Sequence, residues 1–180
     1  VVLDVFPDHL DAHKNASEYV GAKSSIARYQ KPADTVFCFA DNQHSREIAS
    51  RGLGKKVPVQ PVNKGLAKNI EMAEHVTRFL RCPDEVIRKT IDTFRGLEHR
   101  LELVRTITLR DKSSRTLVSF YNDSAATNPT ATSAAIETIA TSRPGTPIVV
   151  IAGGKDKNLD YGPLAKTLNK FPVSLVILFG

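Results

Sequence analysis

The sequence predicts an α/β fold, and three observations carry that prediction. Short apolar runs rich in Val, Ile and Phe, at residues 1–5, 34–39, 147–152 and 173–179, have the length and composition of buried strands. Segments with helical apolar spacing separate them, and polar loops follow the strands, where open α/β sheets form a ligand crevice. The last third alternates most regularly, as strand 116–121, helix 130–140, strand 147–152, a helix within 161–170 and strand 173–179. That order predicts a βαβαβ unit with a parallel sheet and right-handed crossovers.

A chain of 180 residues, 41% of them hydrophobic, can fill a real core and is expected to be soluble. The formal net charge of +6 favours anionic partners: nucleic acid, anionic membrane or phosphorylated small molecules. Lysines and arginines are scattered, Trp is absent and no nucleic-acid signature occurs, so nucleic acid is not expected among the partners. Cys38 sits in an apolar run and Cys82 precedes Pro83, without metal-like spacing, which predicts two free thiols in a reducing compartment. No run approaches the roughly 20 apolar residues of a membrane span, and no signal peptide is visible. The chain opens within one strand pattern and stops at the end of another, so it is expected to be a piece of a longer protein.

The strand at 1–5 leads into Phe6-Pro7-Asp8-His9-Leu10-Asp11-Ala12-His13, the densest cluster of metal-capable side chains. Asn15 is placed to cap a helix running to about Tyr29, with Glu18 completing a capping box and Tyr19, Ala22, Ile26 and Tyr29 on one face. Two readings of this region are open. In one, Asp8 and Asp11 cap the following turn, His9 is a polar loop residue and Lys23 snorkels to water. In the other, His9 is a metal ligand and Lys23 is held in a partly buried site, where desolvation frees its amine for chemistry.

The strand at 34–39 ends in Ala40-Asp41-Asn42, and a short helix follows at 44–50. Gly52-Leu53-Gly54-Lys55-Lys56 lacks the spacing and the Ser/Thr of a phosphate loop and reads as a turn. Residues 57–62 contain Pro58 and Pro61 and form at most an edge strand. A helix at 67–80 sets Ile70, Ala73, Val76 and Leu80 on a buried face. The next, opening at Pro83-Asp84-Glu85, has a stripe of Val86, Ile87, Thr90, Ile91 and Phe94. Residues 94–100 break the pattern at Gly96 and set His99 beside Arg100, as a helix C-cap with solvated charges or as a functional hinge. Residues 101–109 and 115–121 then form a hairpin across 110–114.

Residues 121–132 are the stretch around which the chain is organised. Asn128 is a good N-cap, Pro129 suits the first helical position and strong helix formers follow, so residues 122–128 lie between a strand end and a helix start. Unpaired N–H groups at a helix start favour an anionic or phosphorylated ligand. The loop at 153–160 falls on the same sheet edge, and there Gly153 and Gly154 permit close backbone approach while Lys155 and Lys157 suit carboxylate or phosphate.

Taken together, Pro7-Asp8-His9-Leu10-Asp11, Tyr19 followed by Lys23, and the segments 94–100, 121–129 and 153–157 resemble the Mur ligases in order and approximate spacing, above all the D-glutamate-adding members. The resemblance covers nearly the whole chain. It implies an ATP-dependent, amide-bond-forming ligase of peptidoglycan synthesis, cytoplasmic and monomeric, with ATP and Mg2+ as cofactors and UDP-N-acetylmuramoyl-L-alanine and D-glutamate as substrates. Residues 1–94 would be the C-terminal part of the central ATP-binding domain, and residues 95–180 a truncated Rossmann-like ligase domain. The 180 residues contain no phosphate loop, so the chain alone is expected to be inactive. By the same resemblance His9 holds magnesium, and Lys23 carries a carbamate beside the metal. Asn69, His99, Arg100 and Asp123 match ATP positions, and Thr127 and Lys157 match positions that receive D-glutamate.

The sequence departs from the family pattern at Asp4, where the family has Asn, at Ala125, which replaces a Lys, and at Gly65-Leu66, which replace a His-Asn pair. Ala125 removes a cation from the crevice. Two other readings stay open: another ligase of the Mur or folylpolyglutamate type, and a divergent, non-catalytic nucleotide-binding module.

Overall fold

A computed structural model describes residues 1–8, 12–63, 65–110, 115–155, 157 and 159–180. The expected metal ligand His9, its neighbour Asp11 and the hairpin turn at 111–114 lie outside the described residues. The first half comprises α1 (Ala16–Lys23), α2 (Ser25–Arg28), β1 (Thr35–Phe39), α3 (Gln43–Ser50), β2 (Lys55–Val59), α4 (Leu66–Phe79) and α5 (Asp84–Thr93). The second comprises β3 (Glu102–Arg110), β4 (Arg115–Asn122), α6 (Pro129–Ser142), β5 (Ile148–Gly153), α7 (Gly162–Lys170) and β6 (Val173–Phe179). The α/β class is as the alternation predicts.

Strand β1 is buried on both faces, as its unbroken apolar run requires. Val36 and Cys38 point to a cluster with Val2, Val5, Val20, Ile48 and Ala49, while Phe37 and Phe39 point the other way to Val59 and Met72. Each such side chain, fully buried, contributes about 1.5–3 kcal/mol. Burial pushes the Cys38 thiol pKa up, against a smaller opposing pull from Arg46, so Cys38 behaves as a core hydrophobe.

Residues 1–5 do not make the expected strand. Val2 forms a single parallel bridge to Cys38, with its N–H on the Phe37 carbonyl at 2.8 Å. Side chains finish the job: Ser45 Oγ donates to the Val2 carbonyl at 2.9 Å, and the Asn42 amide exchanges two bonds of 3.4 Å with the Val5 backbone. Asn42 also caps α3 by accepting from the Ser45 N–H at 2.8 Å.

The predicted N-cap is present, since Asn15 accepts from the Glu18 N–H at 2.9 Å, but the reciprocal bond of the capping box is shifted by one residue, with Glu18 accepting from the Lys14 N–H at 2.7 Å. The helix nevertheless breaks at Ser24, whose hydroxyl bonds back to the Val20 carbonyl at 2.7 Å. Its inward residues are Val20, Ser24 and Ala27, whereas Ile26 and Tyr29 are exposed. In α4 the buried positions are Lys68 and Met72, and Ala73 and Leu80 face out. Both stripes are rotated from the expected ones because hydrophobicity alone placed them.

Among the described residues the strands form three two-stranded sheets: β1 with β2 in parallel, β3 with β4 antiparallel, and β5 with β6 in parallel. The expected βαβαβ sheet is therefore partly realised. Among the described residues β4 pairs with its hairpin partner β3 and not with β5, so the parallel pairing is confined to β5 and β6 in this half.

Candidate functional site

Helix α6 starts as its sequence predicts, with Pro129 in the first turn and Asn128 Oδ1 accepting from the Ala131 N–H at 2.9 Å. The other end of the Asn128 amide reaches the first half of the chain, donating from Nδ2 to Asp8 Oδ2 at 3.0 Å. Lys157 Nζ meets Asp8 Oδ1 at 3.3 Å. Asp8 is 8% exposed and so receives both polar loops of the second half on one buried carboxylate. Both contacts reach beyond the turn that follows Asp8, whose capping by Asp8 involves residues outside the described ones.

The halves also touch where α4 begins. Gly65 has φ +58° and ψ −138°, and a Cβ there would lie 2.8 Å from Thr138 Oγ1 on α6. Only glycine fits that approach. The sequence departure at Gly65 therefore coincides with a backbone-to-helix contact.

Between α4, α6 and the loop at 122–128 lies a cavity of about 570 Å³. It brings together Asn69, Arg100, Asp123 and Thr127, four of the residues singled out from sequence. The small side chains Ala125, Ala131, Ala134 and Ala135 keep one wall open. Its size is that of a small-molecule or nucleotide site.

Arg100 is aimed into the cavity by an unusual turn. His99 and Leu101, on either side, both have positive φ, +62° and +48°. The turn is held by Ala125 N–H on the His99 carbonyl at 2.9 Å and by Leu101 N–H on Asp123 Oδ1 at 2.9 Å. The His99 ring lies mostly outside and pairs through Nδ1 with Asn122 Nδ2 at 2.8 Å. Of the adjacent pair, Arg100 borders the cavity and His99 braces the loop. Burial raises the Asp123 pKa, opposed by the Leu101 N–H and the Arg100 charge.

The cavity floor holds a group that sequence reasoning missed. Lys68 is 7% exposed, and its Nζ lies 2.7 Å from Asp4 Oδ1 and 2.8 and 3.0 Å from the two oxygens of Asp41. It also sits 4.2 Å from the centre of the Phe39 ring. Burial works against the ammonium, but the hydrogen bonds and charges of Asp4 and Asp41 outweigh it and raise the pKa, so Lys68 is protonated. A clue was available: Asp4 interrupts one apolar run and Asp41 closes another, and two carboxylates so placed call for a cation.

Lys23 is not in this cavity. It is exposed rather than partly buried, with its ammonium 4.7 Å from the Tyr19 ring centre. It lines a smaller cavity of about 220 Å³ that shares Leu3 and Asp4 with the larger one. Lys155 is exposed. Among the described residues no group of three His, Cys, Asp or Glu converges on a metal position. Among the described residues the larger cavity is lined by four carboxylates, Asp4, Asp8, Asp41 and Asp123, against two cations, Lys68 and Arg100. A polyphosphate entering it would need to bring a cation of its own.

Residues 1–93 match the Mur ligase middle domain, and residues 99–180 match the glutamate ligase domain of Mur ligases. The UDP-N-acetylmuramoylalanine–D-glutamate ligase of Acetivibrio thermocellus is 33% identical, over 99% of this chain and 42% of the relative. The ligase of the same name from Symbiobacterium thermophilum is 29% identical over 99% and 44%, and that of Clostridium perfringens 27% over 100% and 43%. The chain thus spans less than half the length of these relatives. No solved structure matches it.

Proposed function

Because this chain belongs to the Mur ligase family, we propose that the full-length protein is an ATP-dependent ligase adding D-glutamate to UDP-N-acetylmuramoyl-L-alanine in peptidoglycan synthesis. The observation that carries this reading is the cavity gathering Asn69, Arg100, Asp123 and Thr127, with Lys157 docked beside it on Asp8. The names of the relatives supply the substrates. Residues 1–94 then serve as the end of the central ATP-binding domain and residues 95–180 as part of the ligase domain. The reading sets the protein in the cytoplasm as a monomer. Among the described residues no helix is long and apolar enough to cross a membrane.

ATP would supply the γ-phosphoryl group that activates the substrate carboxylate, leaving ADP, and the amine of D-glutamate would then form the amide by displacing inorganic phosphate from the activated carbonyl. In that reaction Arg100 offsets negative charge on the nucleotide side, and Asn69 and Asp123 orient the nucleotide through polar contacts. Lys157 exchanges its bond to Asp8 for a carboxylate of D-glutamate, and Thr127 donates a hydroxyl alongside. His99 acts indirectly by bracing the Asn122 loop. The described residues do not form a metal cage, so no step is assigned to magnesium; the reading leaves its binding to His9 and to a carbamate on Lys23, whose exposure makes the amine accessible to carbon dioxide.

The test is phosphate release by the full-length protein from ATP with UDP-N-acetylmuramoyl-L-alanine, with and without D-glutamate. Release that depends on D-glutamate, with a KM for D-glutamate raised about tenfold or more in Lys157→Ala, supports the reading. A folded protein that binds ATP but releases no phosphate supports the second reading, a non-catalytic nucleotide-binding module, which the missing cation at Ala125 favours.

A further inference from the structure

Lys68 lies outside the set of residues that the family resemblance brings forward, yet it is the most completely engaged cation of the cleft. Its position is over-determined. Asp4 comes from the extended N-terminal segment, Asp41 from the end of β1 and Lys68 from the first turn of α4, so one ammonium joins three chain segments at the cavity floor. Both carboxylates and the Phe39 ring surround it, leaving no N–H free to point at a ligand. The side chains of Asp4 and Asp41 are 26% and 43% exposed against 9% for Lys68, so the carboxylates are the more accessible members of the cluster.

Charge then decides what Lys68 does. Among the described residues four carboxylates line the cavity against Lys68 and Arg100, and losing Lys68 would leave Arg100 as the one lining cation among them. It would also leave Asp4 and Asp41 repelling each other in a half-buried site. We propose that Lys68 is a positioning residue, a fixed counter-ion that keeps the Asp4–Asp41 floor compatible with an anionic nucleotide. This rests on the nucleotide reading of the cavity above. The bound nucleotide does not touch Lys68; it gains from the charge that Lys68 cancels and from the carboxylates being held apart from its phosphates.

The experiment is calorimetric titration of the full-length protein with ATP and magnesium, alongside thermal unfolding of each variant. Lys68→Met is expected to weaken ATP binding about tenfold, and Asp4→Asn in the same chain to restore it to within about threefold of wild type, because one carboxylate has gone with its cation. Asp4→Asn alone is expected to tighten binding about threefold, an arm that remains readable if Lys68→Met fails to fold. A lysine with a purely packing role predicts a lower unfolding temperature, unchanged affinity and no rescue. ATP affinity unchanged in folded Lys68→Met, a loss that persists in the double variant, or no tightening in Asp4→Asn overturns the proposal alone. A wild-type protein that binds no ATP overturns the nucleotide reading with it.

Discussion

Asn128 donates its side-chain amide to Asp8 across 120 positions of sequence, at 3.0 Å, while the oxygen of the same amide caps α6. One side chain therefore both starts a helix in the second half and fastens it to a buried carboxylate in the first. Replacing Asp8 by Ala strands the Asn128 amide and the Lys157 ammonium together, and the expected loss is about 2–3 kcal/mol of unfolding free energy. Asp8→Asn keeps an acceptor for Asn128 and loses the negative charge that faces Lys157, so it should cost about half as much. Urea denaturation of both variants measures this; equal losses would mean that the amide contact carries no share.

At Gly65 the backbone angles and the 2.8 Å approach to Thr138 Oγ1 make separate demands. Gly65→Ala should destabilise by about 1–3 kcal/mol. Adding Thr138→Ala should recover only the steric part, because the positive φ remains. Full recovery in the double variant would show that the backbone conformation costs nothing.

Asp123 makes a pH prediction with a definite sign. Its folded pKa is raised above the ordinary carboxylate value, first by burial, so the folded protein holds this proton more tightly than the unfolded chain does. The contribution is favourable and complete below the unfolded pKa, and it is lost as pH rises through the folded one. Asp123→Asn retains an oxygen for the Leu101 N–H and removes the titration. Its stability curve should be flatter than wild type across the acid range, with equal or greater stability at neutral pH; a parallel curve would show that Asp123 does not titrate differently on folding.

Glu71 behaves in the opposite way. It accepts from the Val62 and Asn63 N–H groups at 2.8 and 3.0 Å, and these bonds hold its pKa below the usual range. Its contribution is present above the unfolded pKa and lost as pH falls through the folded one. Asn63 borders the cavity, so the loop it anchors is part of the rim. Glu71→Ala should speed hydrogen exchange at Val62 and Asn63 by about tenfold while leaving β1 unchanged. Unchanged exchange would mean that the loop is held by other contacts.

Elements that depend on local pattern were readable from sequence: the hairpin, the α6 cap and the α/β alternation, whereas the turn expected at Gly52 to Lys56 is shorter, because β2 already begins at Lys55. Helix faces were harder. Ser24 and Lys68 point inward because each finds partners there, and a hydrophobic stripe cannot register a buried polar residue. The motif residues Asn69, Arg100, Asp123 and Thr127 converge on one cavity because strand ends and helix starts carry them. Lys68 stayed hidden for a different reason. Its partners are 64 and 27 positions away, and a lysine in the first turn of a helix reads as solvated until the chain is folded. That β4 does not go on to pair with β5 was likewise beyond local pattern, since propensity and period do not say which strands share a sheet.

The turn that carries Arg100 bears on the order of events. Two non-glycine residues in the left-handed region each cost about 1–3 kcal/mol, and the Asp123–Ala125 loop is what keeps the turn from relaxing. The orientation in which Arg100 meets a ligand is therefore fixed before binding, and little of that ordering remains for the ligand to impose.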